Sequence, residues 1–138
     1  MSLADVRRVL GDPRARLEGN TPEVPLEECG YLRSRSLPKE LGLMFAHGRV
    51  VRIDVYGRGI RSVNGVGVGD TEEKVKGVYR GHITVEPHPY EGPSGHYLRY
   101  SPPAGHKGYG MIFETDGTKV TSLRVGTLAA VALIEGCS

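Results

Sequence analysis

The stretch Ser2-Leu3-Ala4-Asp5-Val6-Arg7-Arg8-Val9-Leu10 matches Thr71-Glu72-Glu73-Lys74-Val75-Lys76-Gly77-Val78-Tyr79 further along the same chain. Three more blocks match in the same order. Gly30-Tyr31-Leu32-Arg33 aligns with His96-Tyr97-Leu98-Arg99. Leu41-Gly42-Leu43-Met44-Phe45 aligns with Tyr109-Gly110-Met111-Ile112-Phe113, and Arg49–Val55 aligns with Lys119–Val125. Four ordered blocks at nearly constant spacing read as a tandem duplication of about 69 residues per unit. The boundaries are residues 1–60 for the first unit and 61–138 for the second. Together they form one compact pseudo-symmetric domain.

Each unit has the same pattern. It opens with a short helix. In the first, Leu3, Val6, Val9 and Leu10 recur at helical spacing, Ser2 is the N-cap and Asp5 stands three residues on. Gly11-Asp12-Pro13 stops this helix, because Gly suits the cap and Pro cannot continue it. In the second, Val75, Val78 and Tyr79 form the stripe, Asp70 or Thr71 caps it and Gly81 stops it. Extended segments follow. Val51, Ile53 and Val55 alternate with Arg52 and Asp54, and Thr121, Leu123 and Val125 alternate with Ser122 and Arg124. That is the period of a half-buried strand. Ala46-His47-Gly48 and Glu114-Thr115-Asp116-Gly117-Thr118 join each of these strands to the one before it, and Asp-Gly is a hairpin signal. The fold class is therefore α+β. Two tandem repeats, each a short helix followed by a 3–4-stranded antiparallel meander, pack as one unit whose shared core covers the apolar sheet faces.

These helix starts carry a resemblance. Asp5-Val6 and Leu10-Gly11-Asp12-Pro13 resemble the opening of the repeat shared by the beta-lactamase inhibitory proteins and the small outer-membrane assembly lipoproteins. Gly69-Asp70-Thr71 with Val75 matches it without the Pro stop. The hairpins Phe45–Val50 and Phe113–Val120 are also similar to that repeat. The resemblance implies a protein-binding scaffold of the bacterial envelope or exterior. It transfers no inhibitory residue, because no contact loop of those inhibitors is recognisable.

The chain has 138 residues, 38% hydrophobic and 25% charged, which argues against a disordered chain and an integral membrane protein. With 20 Gly and 9 Pro, turns and short strands are favoured over long helices. The net charge of +2 comes without a basic run or stripe, so nucleic acid is not an expected partner. Cys29 and Cys137 are too far apart for a metal or redox motif. They are either two free buried thiols or one bridge. The bridge is the expected reading: it ties down the Gly136-Cys137-Ser138 tail, contributes on the order of 4–5 kcal/mol in the chain-entropy model, and implies an oxidising compartment. The chain carries no signal peptide or transmembrane run. It reads as a mature or trimmed form of a periplasmic or secreted protein.

The units differ most over residues 86–109. This segment holds five of the nine Pro, three of the five His and four of the seven Tyr. Pro-stiffened loops displaying Tyr and His make adhesive surfaces. The candidate binding residues are His88, Tyr90, His96, Tyr97, Tyr100, His106 and Tyr109, with Arg33, Arg99 and Arg124 as a polar rim. The competing reading has the tyrosines in strands, packed inward. His82, His88, His96 and His106 with Glu86 and Glu91 fit no established zinc spacing. Gly65-Val66-Gly67-Val68-Gly69-Asp70 lacks the βαβ setting and the Gly-Lys-Ser/Thr of a phosphate loop. No Gly-x-Ser-x-Gly elbow exists, and no catalytic residue, metal or cofactor is expected. The function expected is a non-enzymatic exported module that binds a protein. The alternatives are a small hydrolase or metal-dependent enzyme using the His cluster, which needs three of those histidines to converge, and a structural envelope component.

Overall fold

A computed structural model describes residues 1–19, 21–104 and 108–138. The described elements run α1 (Leu3–Leu10), β1 (Arg16–Glu18), β2 (Gly30–Arg33), β3 (Leu41–Ala46), β4 (Arg49–Val55), α2 (Glu72–Val78), β5 (Ile83–Pro87), β6 (His96–Tyr100), β7 (Tyr109–Thr115), β8 (Val120–Thr127) and α3 (Leu128–Ala132). The fold is α+β. One eight-stranded sheet runs in the order β1-β2-β3-β4-β8-β7-β6-β5, with every neighbouring pair antiparallel. The sheet is continuous from residues 1–60 into 61–138 because β4 pairs with β8, setting Asp54 opposite Arg124.

The helix starts follow their caps. Ser2 Oγ accepts from the Asp5 amide while Asp5 Oδ2 accepts from the Ser2 amide, a complete capping box. Gly11 ends α1 in the left-handed region (φ 64°), which costs glycine nothing. Thr71, not Asp70, caps α2, its hydroxyl accepting from the Lys74 amide. Asp70 instead accepts from the Gly67 amide and pairs with Arg61 and Lys74.

Both of these helices lie on the first face of the sheet. Val6 packs with Leu32 and Phe45. Val75 and Tyr79 pack with Leu98, Phe113, Val120, Leu123 and Val55, the largest buried cluster among the described residues. The second face is covered differently. The short α3 and the tail after it lie across it, Ala130 and Cys137 on Met44, and Val131 on Tyr97 and Ile112. The sequence reading contains no third helix.

Two registers differ from that reading. In the β3–β4 hairpin Phe45 faces Val50 while Met44 faces Arg52, so Val51 is an extra residue in a β-bulge. Val51 therefore joins the second-face cluster of Met44, Cys29 and Tyr31 rather than alternating with Ile53 and Val55. In β7–β8 Thr115 faces Val120 while Glu114 faces Ser122, which leaves Thr121 extra. The strand β7 runs on to Thr115, so the connection is shorter than Glu114–Thr118. The pairing register of 41–55 therefore follows the same pattern as that of 111–125, with Leu43 in the place of Phe113 and Phe45 in the place of Thr115, two residues off the alignment that paired the phenylalanines.

Candidate functional site

The polar residues of β4 and β8 are not a solvated face. Arg52, Asp54 and Arg124 are 5%, 4% and 4% exposed, whereas their apolar strand neighbours Ile53 and Val125 are each 37% exposed. The C-terminal segment causes this inversion by lying over them. Arg124, expected in a polar rim, is buried. Arg33 and Arg99 do reach solvent, each paired to a neighbouring-strand glutamate: Arg33 Nε to Glu18 Oε2 at 2.9 Å, and Arg99 Nε to Glu86 Oε1 at 3.0 Å.

Arg52 grips Asp54 with Nε at 2.9 and 3.0 Å from its two oxygens and Nη2 at 2.9 Å from Oδ1. Its Nη1 donates to the carbonyls of Ala130 at 2.9 Å and Leu133 at 2.7 Å. Arg124 Nε donates to the Val131 carbonyl at 2.7 Å. Two buried guanidinium groups therefore hold the carbonyl end of α3, where cations are favoured. Burial pushes the Asp54 carboxyl above its ordinary value, and the pairing with Arg52 only partly offsets it.

Beside this pair, Glu114 collects polar neighbours. Ser122 Oγ donates to it, His88 Nε2 lies 3.2 Å away and Arg124 Nη1 lies 3.5 Å away. Burial pushes Glu114 up, but the Ser122 hydroxyl and the charge of Arg124 bring it below the usual carboxylate range. The His88 ring meets Tyr97 edge-on at 4.8 Å, and the Arg124 guanidinium lies 5.0 Å above the same tyrosine ring. The Tyr97 hydroxyl and Arg124 Nη2 are buried and have no hydrogen-bond partner among the described residues.

Next to the buried charges a pocket of about 450 Å³ opens on the second face. The sheet supplies its floor through Gly42, Asp54, Ser122 and Arg124, and the tail supplies one wall through Ile134, Glu135 and Gly136. Tyr31, Tyr56, Arg33 and Lys39 form the rest of its rim. Tyr56 lies over Gly42, where any Cβ would press on its ring at 3.3 Å. Burial against the sheet, with the Asp54 charge beside it, pushes the Tyr56 hydroxyl up to about 12. Burial likewise raises Tyr31.

The residues singled out from the sequence do not form one surface. Strand alternation sends Tyr97 to the second face, where it is 4% exposed, and sends His96 and Tyr100 to the first. His96 Nδ1 lies 2.7 Å from Glu72 Oε1, which also accepts from Thr115. Tyr100 packs on Tyr79 at 4.8 Å between ring centroids. Tyr90 is exposed, and its hydroxyl donates to Glu135 at 2.7 Å, tying its loop to the tail. Tyr109 is exposed on the first face beside Pro102, Pro103 and Val125. His106 lies outside the described residues. His82 meets the Ser101 carbonyl, apart from both His88 with Glu114 and His96 with Glu72. Among the described residues no three His, Cys, Asp or Glu side chains gather as a metal-binding set.

Sequence reasoning missed Arg52, Asp54, Tyr31 and Tyr56. Their signal was the apolar run Leu128–Ile134 after β8, which needs a surface to cover. The bridge it did expect is present: Cys29 and Cys137 are joined, with their Cα atoms 5.4 Å apart. No helix among the described residues is long and apolar enough to cross a membrane. No family model, curated protein or solved structure matches the chain.

Proposed function

We propose that the chain is a non-enzymatic, exported module that binds a protein partner through the second face of its sheet, beside the C-terminal segment. One observation carries the reading: a pocket of about 450 Å³ with two tyrosines and two cationic side chains at its rim opens on a face only partly covered by its own chain. Tyrosine and arginine provide large, orientable contact area and dominate protein interfaces. The floor charges are already paired, so the partner needs no compensating buried charge. Its loop fills the pocket between Tyr31, Tyr56 and the tail, with Arg33 and Lys39 at the margin.

The scaffold beneath it is a duplicated helix–meander unit similar to the beta-lactamase inhibitory proteins and the outer-membrane assembly lipoproteins. The support is a set of recurring details. The bulges at Val51 and Thr121 correspond, and so do the bridges Ser2–Arg49 and Thr71–Lys119. The pairs Arg33–Glu18 and Arg99–Glu86 also correspond. The Cys29–Cys137 bridge supports export to the periplasm or beyond.

The test is capture from the native envelope or secretome. The pair Tyr56→Ala with Lys39→Glu abolishes capture of the partner that the wild-type chain takes, while Tyr109→Ala on the other face leaves it unchanged. Loss with Tyr109→Ala alone, or retention by the paired variant, overturns the reading.

A further inference from the structure

The C-terminal segment 128–138 lies across the second face and supplies one wall of the pocket. Its helix has five residues, too short to hold itself. It rests on two small clusters, Met44 with Ala130 and Cys137, and Tyr97 and Ile112 with Val131. Beneath it lie charged groups, Arg52, Asp54 and Arg124, which water solvates well once they are uncovered. Beyond those contacts, three arginine–carbonyl bonds, the Leu128 amide donating to the Gly108 carbonyl, and the Tyr90–Glu135 contact attach it. One covalent tie secures its far end, the bridge from Cys137 to Cys29. Cys137 is 3% exposed, whereas Cys29 is half-buried at the end of a turn-rich segment and is the less covered end of the bridge.

We propose that the segment is a redox-released strap: reduction of Cys29–Cys137 by a dithiol frees residues 128–138 from the sheet face while the eight-stranded sheet stands. A thiolate of the dithiol attacks Cys29 Sγ, the S–S bond breaks, and Cys137 leaves as a thiolate that takes up a proton. The second thiol of the reagent attacks the mixed disulfide, releasing Cys29 and closing the reagent's own disulfide. Two electrons pass from the dithiol to the protein. With the bridge intact the strap is anchored at both ends, at Thr127 in β8 and at Cys137. With it cut, only the β8 end remains. Strap release removes the Ile134, Glu135 and Gly136 wall, widens the pocket into an open sheet face, and turns the donors of Arg52 and Arg124 toward solvent.

The test is hydrogen exchange on the full oxidised chain with and without excess dithiothreitol, with bridge loss verified by thiol labelling. No partner is present, so the outcome is independent of the binding reading. Reduction speeds exchange across residues 128–137 to near the unprotected rate, while β3, β4, β7 and β8, whose protection falls only with the lower global stability, stay at least about tenfold more protected than the strap. The variant Cys29→Ser/Cys137→Ser gives the same pattern without reagent. Unchanged strap protection in fully reduced protein overturns the proposal. So does simultaneous loss of protection across the sheet, or a serine variant that does not fold, because either means the bridge holds the fold rather than the strap.

Discussion

Replacing Arg52 with alanine removes the centre of the buried network on the second face. Asp54, 4% exposed in the wild type, loses its cation, and the carbonyls of Ala130 and Leu133 lose a common donor. Removing one partner of a buried ion pair costs roughly 3–5 kcal/mol, because the survivor remains buried and uncompensated. In a chain of this size that lowers Tm by roughly 10–15 °C. Asp54→Ala leaves Arg52 with its two carbonyl acceptors, so it costs less, about 2–3 kcal/mol. The double variant leaves no uncompensated charge, and its loss falls short of the summed single losses by about 2 kcal/mol or more. The pH dependence has a definite sign. Burial already holds the Asp54 carboxyl above its ordinary 3.8. A raised carboxyl favours the fold while protonated, and that contribution is lost as pH rises through the folded value. Losing Arg52 raises the carboxyl further, so the Arg52→Ala deficit shrinks as pH falls toward 4 and is full at pH 7. Urea unfolding of the disulfide-intact proteins at both pH values measures it. An Arg52→Ala loss below about 1 kcal/mol, or strict additivity with Asp54→Ala, refutes the account of a buried charge held by its partner.

Removing the bridge with Cys29→Ser/Cys137→Ser lowers global stability by about 4–5 kcal/mol in the chain-entropy model, read by urea unfolding against the oxidised wild type. Ser2→Ala breaks the capping box of α1 and costs about 1 kcal/mol by the same assay. Burial pushes Glu72 up, but hydrogen bonds from Thr115 and His96 outweigh it and leave the carboxyl below its ordinary 4.5. That stability is present above 4.5 and is lost as pH falls through the folded value, so a Tm-versus-pH scan shows a decline below 4.5 that Glu72→Gln flattens.

Much of the scaffold was legible because it rests on local chemistry. Ser2 with Asp5, Gly11 before Pro13, and Asp116-Gly117 each dictate a cap or turn from their own side chains, and the structure forms all of them. The Cys29–Cys137 bridge was legible from the tail that needed holding. The registers were harder. Phe45 and Phe113 invited alignment with each other, but the bulges at Val51 and Thr121 set Phe45 against Thr115. A bulge leaves no residue signature when the extra position is an ordinary Val or Thr. The site was the least legible part. Arg52, Asp54 and Arg124 alternate with apolar residues and so read as a water-facing edge. Only the tertiary position of residues 128–138, set by a bridge from the far end of the chain, buries them. The tyrosines and histidines of residues 86–109 cluster in sequence, yet β6 distributes His96 and Tyr97 to opposite faces.

The proposed binding surface is tested most directly by photocrosslinking from defined positions. A benzophenone amino acid at position 56 sits at the pocket rim on the second face, and one at position 109 sits exposed on the first. Incubated with the native envelope or secretome, the chain labelled at 56 forms a discrete adduct with one protein and the chain labelled at 109 does not. An adduct from position 109 with none from position 56 contradicts the placement of the binding face.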